Sequence, residues 1–86
     1  MAEETREHKV KRLHMRSMRR GIKEMDLILS AYAGARLEGM SDADLALYDS
    51  LLRENDQDLY QWVTGQAAVP ARFADLVQEI SLTFQK

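Results

Sequence analysis

Apolar residues recur at steps of three and four along most of the chain, and no stretch alternates apolar and polar residues as a strand does. The first such pattern follows Thr5, which can cap a helix. It places Val10 and Leu13 on one side, and Ser17 or Met18 continues the row. The spacing therefore predicts a first helix that packs through this side.

A second and longer pattern predicts a helix that begins near Ile22 and ends between Arg36 and Glu38, before Gly39. Its apolar residues occupy the positions that one face of a helix presents to a core. They are Ile22, Met25, Ile28, Leu29, Tyr32 and Ala33.

A third helix begins after Ser41, because Asp44 lies three residues later and the pair resembles a capping box. Met40 and Leu45 occupy the two hydrophobic-staple positions beside it. The apolar side of this helix then continues through a row that we expect to be buried, namely Leu45, Tyr48, Leu51 and Leu52.

Two further helices complete the chain. Asn55 or Asp56 can cap a short fourth helix, which Gly65 closes, and Pro70 suits the first turn of a fifth. The fifth helix has an apolar row of Phe73, Leu76, Val77, Ile80 and Phe84. The whole pattern predicts an all-α protein: a compact antiparallel bundle of five helices, forming one domain over residues 1–86. Residues 1–7 are expected to be a partly mobile arm.

Composition and charge narrow the possible functions. The 86 residues include no cysteine, and the longest weakly polar run, nine residues, falls short of the ~20 that a membrane span needs. We therefore expect no membrane insertion. The start of the chain shows neither a secretory nor a mitochondrial targeting pattern, so the expected location is the cytoplasm. The net charge of −2 divides into +4 for residues 1–25 and −6 for residues 26–86.

Residues that could support catalysis or bind a metal are scarce. His8 and His14 are six residues apart, about 240° around a helix, so they cannot share a metal ion. The acidic run from Asn55 does not match a calcium loop, because Gln61 and Ala67 occupy the positions that require Gly and Glu. The sequence also contains no phosphate-binding Gly-rich loop and no Gly-x-Ser-x-Gly elbow. We therefore expect no enzyme activity and no metal site.

The segment from His14 to Glu24 concentrates positive charge around Gly21. Arg20 and Glu24 lie four residues apart on one helix face, in the weaker orientation for an ion pair. The residues leave open two interpretations of this segment, a docking site for another protein and a solvated turn. A nucleic-acid-binding patch is an alternative function for the basic end. Three methionines either fill the small core or line a contact surface, namely Met15, Met18 and Met25.

Two blocks of this sequence, Arg20-Gly21-Ile22-Lys23-Glu24 and residues 51–65, resemble the SdhE-type assembly factors of succinate dehydrogenase. Arg20-Gly21-Ile22-Lys23-Glu24 resembles their Arg-Gly-x-x-Glu motif, and Met25 takes the usual place of Leu in the stretch that follows. The segment 51–65 is similar to their Leu-Leu-Glu…Asp-x-Asp-Leu…Trp-Leu-x-Gly block, from which Arg53 and Val63 depart. The likeness covers about residues 10–82.

The resemblance implies a chaperone that binds the flavoprotein subunit of succinate dehydrogenase, often that of fumarate reductase as well, and promotes its covalent FAD attachment. The FAD then belongs to the client, and the factor binds no cofactor stably and has no catalytic residue. Matched to the motif, the expected partner-binding residues are Arg20, Gly21 and Glu24, flanked by Arg19, Lys23 and Asp26, with His14, Arg16 and Asp56 as secondary candidates. The Asp56/Asp58 pair matches the second block, and helix capping alone would also explain both residues. The expected setting is the bacterial cytoplasm.

Overall fold

Five α-helices account for most of residues 4–84, which are the residues described by the computed structural model. No strand occurs among them, so the predicted all-α fold is confirmed. The helices are α1 (Arg6–Arg16), α2 (Lys23–Arg36), α3 (Asp42–Leu52), α4 (Asp56–Val63) and α5 (Ala74–Phe84), with 3-10 turns at Leu37–Gly39 and Ala71–Phe73.

Helices α1, α3 and α4 begin at capping residues that the sequence indicates, whereas Ile22 before α2 provides no side-chain cap and α5 begins at Ala74, after a 3-10 turn that follows Pro70. The hydroxyls of Thr5 and Ser41 each accept a hydrogen bond, at 3.1 Å, from the backbone N–H three residues later. At the start of α4 the side chain of Asn55 accepts from the N–H of Gln57 at 2.7 Å. Asn55 is therefore the cap of this helix, and the carboxylate of Asp56 makes other contacts.

The core consists of one apolar cluster to which every helix contributes. The predicted rows of α2 and α3 are buried, apart from Ile22, which is half-buried at the start of α2. Of the two residues that could continue the row of α1, Ser17 is buried, whereas Met18 is about half exposed. One expectation is corrected: Phe84 is also about half exposed, because it is the last residue of α5.

A buried polar contact joins the end of α1 to α3. The Ser17 hydroxyl donates to the carbonyl of Leu13 at 2.8 Å and shares a second hydrogen bond with the hydroxyl of Tyr48. Both residues are fully buried. Burial raises the pKa of Tyr48 to about 12. This contact fixes the point at which the chain leaves α1.

The N-terminal segment that was expected to be mobile includes the start of α1. Arg6 lies in the first turn of that helix, and its guanidinium contacts the carboxylate of Asp42 at 3.1 Å and the carbonyl of Glu38 at 3.0 Å. Residues 1–3 lie outside the described part of the chain, so the mobility of the arm stays a prediction. Between residues 4 and 84, no helix has the length and apolar character that a membrane crossing requires.

Candidate protein-docking site

The segment that connects α1 to α2, residues 17–22, is called the junction loop below. Arg19 has a φ of +57°, in the left-handed region, which costs a non-glycine residue roughly 1–2 kcal/mol. Its backbone N–H donates to Oδ2 of Asp26 at 3.1 Å. Two residues later the N–H of Gly21 donates to Oδ2 of Asp56 at 2.7 Å. Carboxylates from α2 and α4 thus hold the loop on two sides.

Arg20 points into the bundle, and only 11% of its side chain is exposed. Its Nε donates to Oδ1 of Asp56 at 2.8 Å, and its Nη2 lies 2.7 Å from the same oxygen. Nη1 donates to the carbonyl of Arg16 at 3.0 Å, and Nη2 to that of Leu52 at 3.1 Å. The partner of Arg20 is therefore Asp56 and not Glu24, the residue four positions along.

Gly21 allows the close approach of a group from its own chain. A Cβ built on this residue would lie 3.1 Å from Oδ2 of Asp56, tighter than an ordinary van der Waals contact. A glycine at the start of a helix indicates either a junction or a close backbone approach by another group. In the structure Asp56 makes that approach. Asp56 therefore has a contact with the loop that helix capping does not explain.

The side chains around the loop that remain exposed form a mixed surface. Arg19, Lys23 and Glu24 are exposed and form no ion pair with any residue between 4 and 84. Leu27 follows Glu24 by one helical turn, and 65% of it is exposed. Together these side chains combine charge of both signs with an apolar group beside a fixed loop. With the exposed residues Met18 and Gly21 of the loop, they make up a surface that we call the docking face. Its residues are Met18, Arg19, Gly21, Lys23, Glu24 and Leu27.

Leu27 is missing from the candidates that the motifs supply. The sequence does contain a signal for it, because Leu27 is the large apolar residue of α2 that falls outside the row of core positions spaced by three and four. Such a residue faces solvent unless a partner covers it. Asp26, by contrast, is half-buried. Its Oδ2 accepts the N–H of Arg19 in the loop, and its Oδ1 accepts from the hydroxyl of Ser30 on α2 at 3.3 Å.

Half of the basic residues in the N-terminal segment are neutralised by carboxylates of the same chain. Four of its eight basic residues form ion pairs with carboxylates, and the distances lie between 2.7 and 3.2 Å: Arg6 with Asp42, Arg12 with Glu4 and Asp49, Arg16 with Asp49, and Arg20 with Asp56. The hydrogen bond from Arg12 holds the pKa of Asp49 below its ordinary value. The charge division seen in the sequence is thus in large part complementarity between α1, the junction loop and the helices that follow.

The secondary candidates occupy different positions. Arg16 supports the loop through its carbonyl, which accepts from Arg20, while its side chain contacts Asp49 at 3.2 Å. His14 is half-buried and lines an open groove on α1 with Val10 and Met15. Within residues 4–84 no three histidine or acidic side chains cluster closely enough to bind a metal ion.

Comparison with known proteins assigns the chain to a family. A family model described as the flavinator of succinate dehydrogenase, Sdh5, matches residues 11–83. The chain belongs to the Sdh5 family. The resemblance seen in the two sequence blocks is thereby confirmed, and both blocks lie within the matched region.

Relatives of this Sdh5-family chain include proteins named succinate dehydrogenase assembly factor 2, mitochondrial. The one from Meyerozyma guilliermondii is 45% identical, over 96% of this chain and 62% of its own length. That from Mycosarcoma maydis is 42% identical, over 83% and 30%, and that from Drosophila grimshawi is 35% identical, over 80% and 48%. The chain therefore spans between about a third and two thirds of the length of these relatives.

These relatives also correct the expected location. The sequence predicts a bacterial cytoplasmic protein, whereas the names of the relatives place them in mitochondria, in fungi and in a fly. The prediction of a bacterial cytoplasmic setting is therefore wrong. It rests on the composition of the first residues, and the match to the family model begins only at residue 11.

Proposed function

We propose that this chain binds the flavoprotein subunit of succinate dehydrogenase and promotes covalent attachment of FAD to it. Family membership supports the general role, and the docking face supports the binding mode. Exposed groups of both charges beside an exposed leucine, next to a loop fixed by hydrogen bonds, suit the recognition of another protein through charge complementarity and apolar contact. The observation that carries the proposal is the exposure of Glu24, Lys23 and Leu27 together on the first two turns of α2.

In this proposal the client supplies the chemistry and this chain supplies geometry. The flavin and the histidine that it is joined to both belong to the flavoprotein, and the chain holds a domain arrangement in which the two can react. The chain then needs neither a catalytic group nor a cofactor of its own. The flavoprotein of fumarate reductase would be a second client of the same face, and the relatives' names suggest mitochondria as the compartment.

The test removes one charge from the docking face and compares it with a matched change elsewhere. Glu24→Ala is expected to reduce capture of the purified flavoprotein at least tenfold and to reduce covalent flavin, measured as fluorescence on a denaturing gel. Glu7→Ala is the control, because Glu7 is also an exposed glutamate in the first turn of a helix and shares its effect on the helix dipole. Unchanged covalent flavin after deletion of the gene would refute the proposal.

No observation on residues 4–84 favours the alternative of a nucleic-acid-binding module. Half of the basic residues in the N-terminal segment are paired with carboxylates of the same chain, which weakens the field that a phosphate backbone would meet. A gel-shift assay at ~0.1 M salt with duplex DNA and with RNA tests this alternative directly, and a shift that weakens steeply with added salt would support it.

A further inference from the structure

We propose that Arg20, Asp26 and Asp56 are positioning residues that hold the junction loop in the conformation the flavoprotein binds. Arg20 then acts through Asp56 and does not itself contact the partner. The inference rests on the proposed function, and it assigns separate roles to residues that the family motif groups together. The two carboxylates, Asp26 and Asp56, are called the carboxylate clamp.

Both carboxylate oxygens of Asp56 accept hydrogen bonds from the junction loop. Oδ1 receives two nitrogens of Arg20, at 2.8 and 2.7 Å, and Oδ2 receives the N–H of Gly21 at 2.7 Å. Only 19% of the side chain is exposed. Charge-assisted hydrogen bonds of this length are among the strong ones in proteins. Because Asn55 already caps α4, the capping of that helix does not account for this carboxylate.

The guanidinium of Arg20 is occupied by contacts within its own chain. All three of its guanidinium nitrogens contact groups of the same chain, namely the carboxylate of Asp56 and the carbonyls of Arg16 and Leu52. A partner that bound this guanidinium directly would first have to break those contacts. The contribution of Arg20 to binding therefore comes from where it holds the loop.

Asp26 secures the other side of the loop. Its Oδ2 accepts the N–H of Arg19, the residue in the left-handed conformation. Because Asp26 belongs to the first turn of α2 and Asp56 to that of α4, the clamp fixes the loop relative to two helices at once. The backbone at Arg19 and Gly21 thereby keeps a constant position relative to α2, the helix that carries Glu24.

The expected size of the effect follows from the fraction of molecules with a competent loop. Apparent affinity falls in proportion to that fraction. If release of one carboxylate leaves the loop competent in roughly 1–10% of molecules, the Kd for the flavoprotein rises about 10- to 100-fold. Helical content is expected to stay unchanged, because Asp56 lies outside the apolar cluster.

The binding test is a double-mutant cycle with Asp56→Ala, Arg20→Ala and the double variant, measured as Kd for the purified flavoprotein subunit. If Arg20 acts through Asp56, the Kd of the double variant is no higher than that of the single variant that binds less tightly. If Arg20 contacts the partner, the two effects multiply, which would overturn the inference. Asp58→Ala is the control, since it removes an exposed carboxylate from the same turn of α4.

A second measurement uses the free chain and needs no partner. Amide hydrogen exchange is expected to accelerate at least tenfold at Gly21 in Asp56→Ala and at Arg19 in Asp26→Ala, while the amide of Leu29 in the core of α2 keeps its rate. Unchanged exchange at both loop amides would refute the clamp. Asp56→Asn, which keeps the size of the side chain, replaces the alanine variant if that one melts at a lower temperature.

The two measurements separate the two proposals. If the unaltered chain does not bind the flavoprotein, the proposed function fails, and the exchange rates still decide whether the clamp holds the loop. If the unaltered chain binds and Asp56→Ala binds equally well, the positioning role fails while the proposed function stands.

Discussion

Leu27 offers the most direct test of the docking face, because the chain contains a matched residue elsewhere. Complete burial of a leucine side chain contributes about 1.5–3 kcal/mol, and 65% of Leu27 is still exposed in the free chain. Covering that remainder in a complex would contribute roughly 1–2 kcal/mol. We therefore expect Leu27→Ser to raise the Kd for the flavoprotein about 5- to 30-fold.

The control is Leu82→Ser. Leu82 is 64% exposed, almost the same as Leu27, but it lies on α5 and outside the docking face. Both variants are expected to keep the stability of the parent chain within about 0.5 kcal/mol, because the side chains are mostly in solvent. Isothermal titration calorimetry gives the Kd of each variant, and thermal melting monitors the fold. An equal loss of affinity in both variants, or none in Leu27→Ser, would refute the assignment of Leu27 to the interface.

Two further predictions concern stability, both measured by thermal melting. Ser17→Ala leaves the buried hydroxyl of Tyr48 without its partner, at a cost of about 1–3 kcal/mol, and each kcal/mol lowers the Tm by roughly 4–8 °C. The drop should shrink in a Tyr48→Phe background, and an equal drop in both backgrounds would contradict the argument. Asp49→Asn removes a carboxylate whose pKa is held below its ordinary 3.8, chiefly by the hydrogen bond from Arg12. A lowered folded-state pKa stabilises the fold above about pH 4, and this contribution is lost as the pH falls through the folded pKa. The variant should therefore melt below the parent at pH 7 and converge with it near pH 2, and a constant gap would argue against this.

Local features of the fold were predictable because their causes lie within a few residues. The caps at Thr5 and Ser41 depend on a hydroxyl and a backbone N–H three residues apart. Gly65, predicted as the end of α4, has a φ of +81°, which only glycine adopts readily. The buried row of α2 follows from helical periodicity alone.

The segment that forms the site was predictable from the sequence, but the contacts that hold this segment were not. The motif and the positive charge both indicate the neighbourhood of Gly21. However, the partner of Arg20 lies 36 residues further along the chain, and no local pattern pairs the two. For the same reason the basic segment resembles a patch in the sequence, whereas Arg12 and Arg16 share Asp49 on a helix that folds back against them.

The attachment of the junction loop to α4 has a consequence for how the chain becomes active during folding. The contact between Gly21 and Asp56 joins residues that lie 35 positions apart in the chain. Closing a loop of this length costs conformational entropy, and only contacts formed after closure offset that cost. A copy in which only α1 and α2 have formed lacks that anchor. If the flavoprotein binds the anchored loop as we propose, a chain must fold through α4 before it can bind, and partly folded copies do not occupy the flavoprotein.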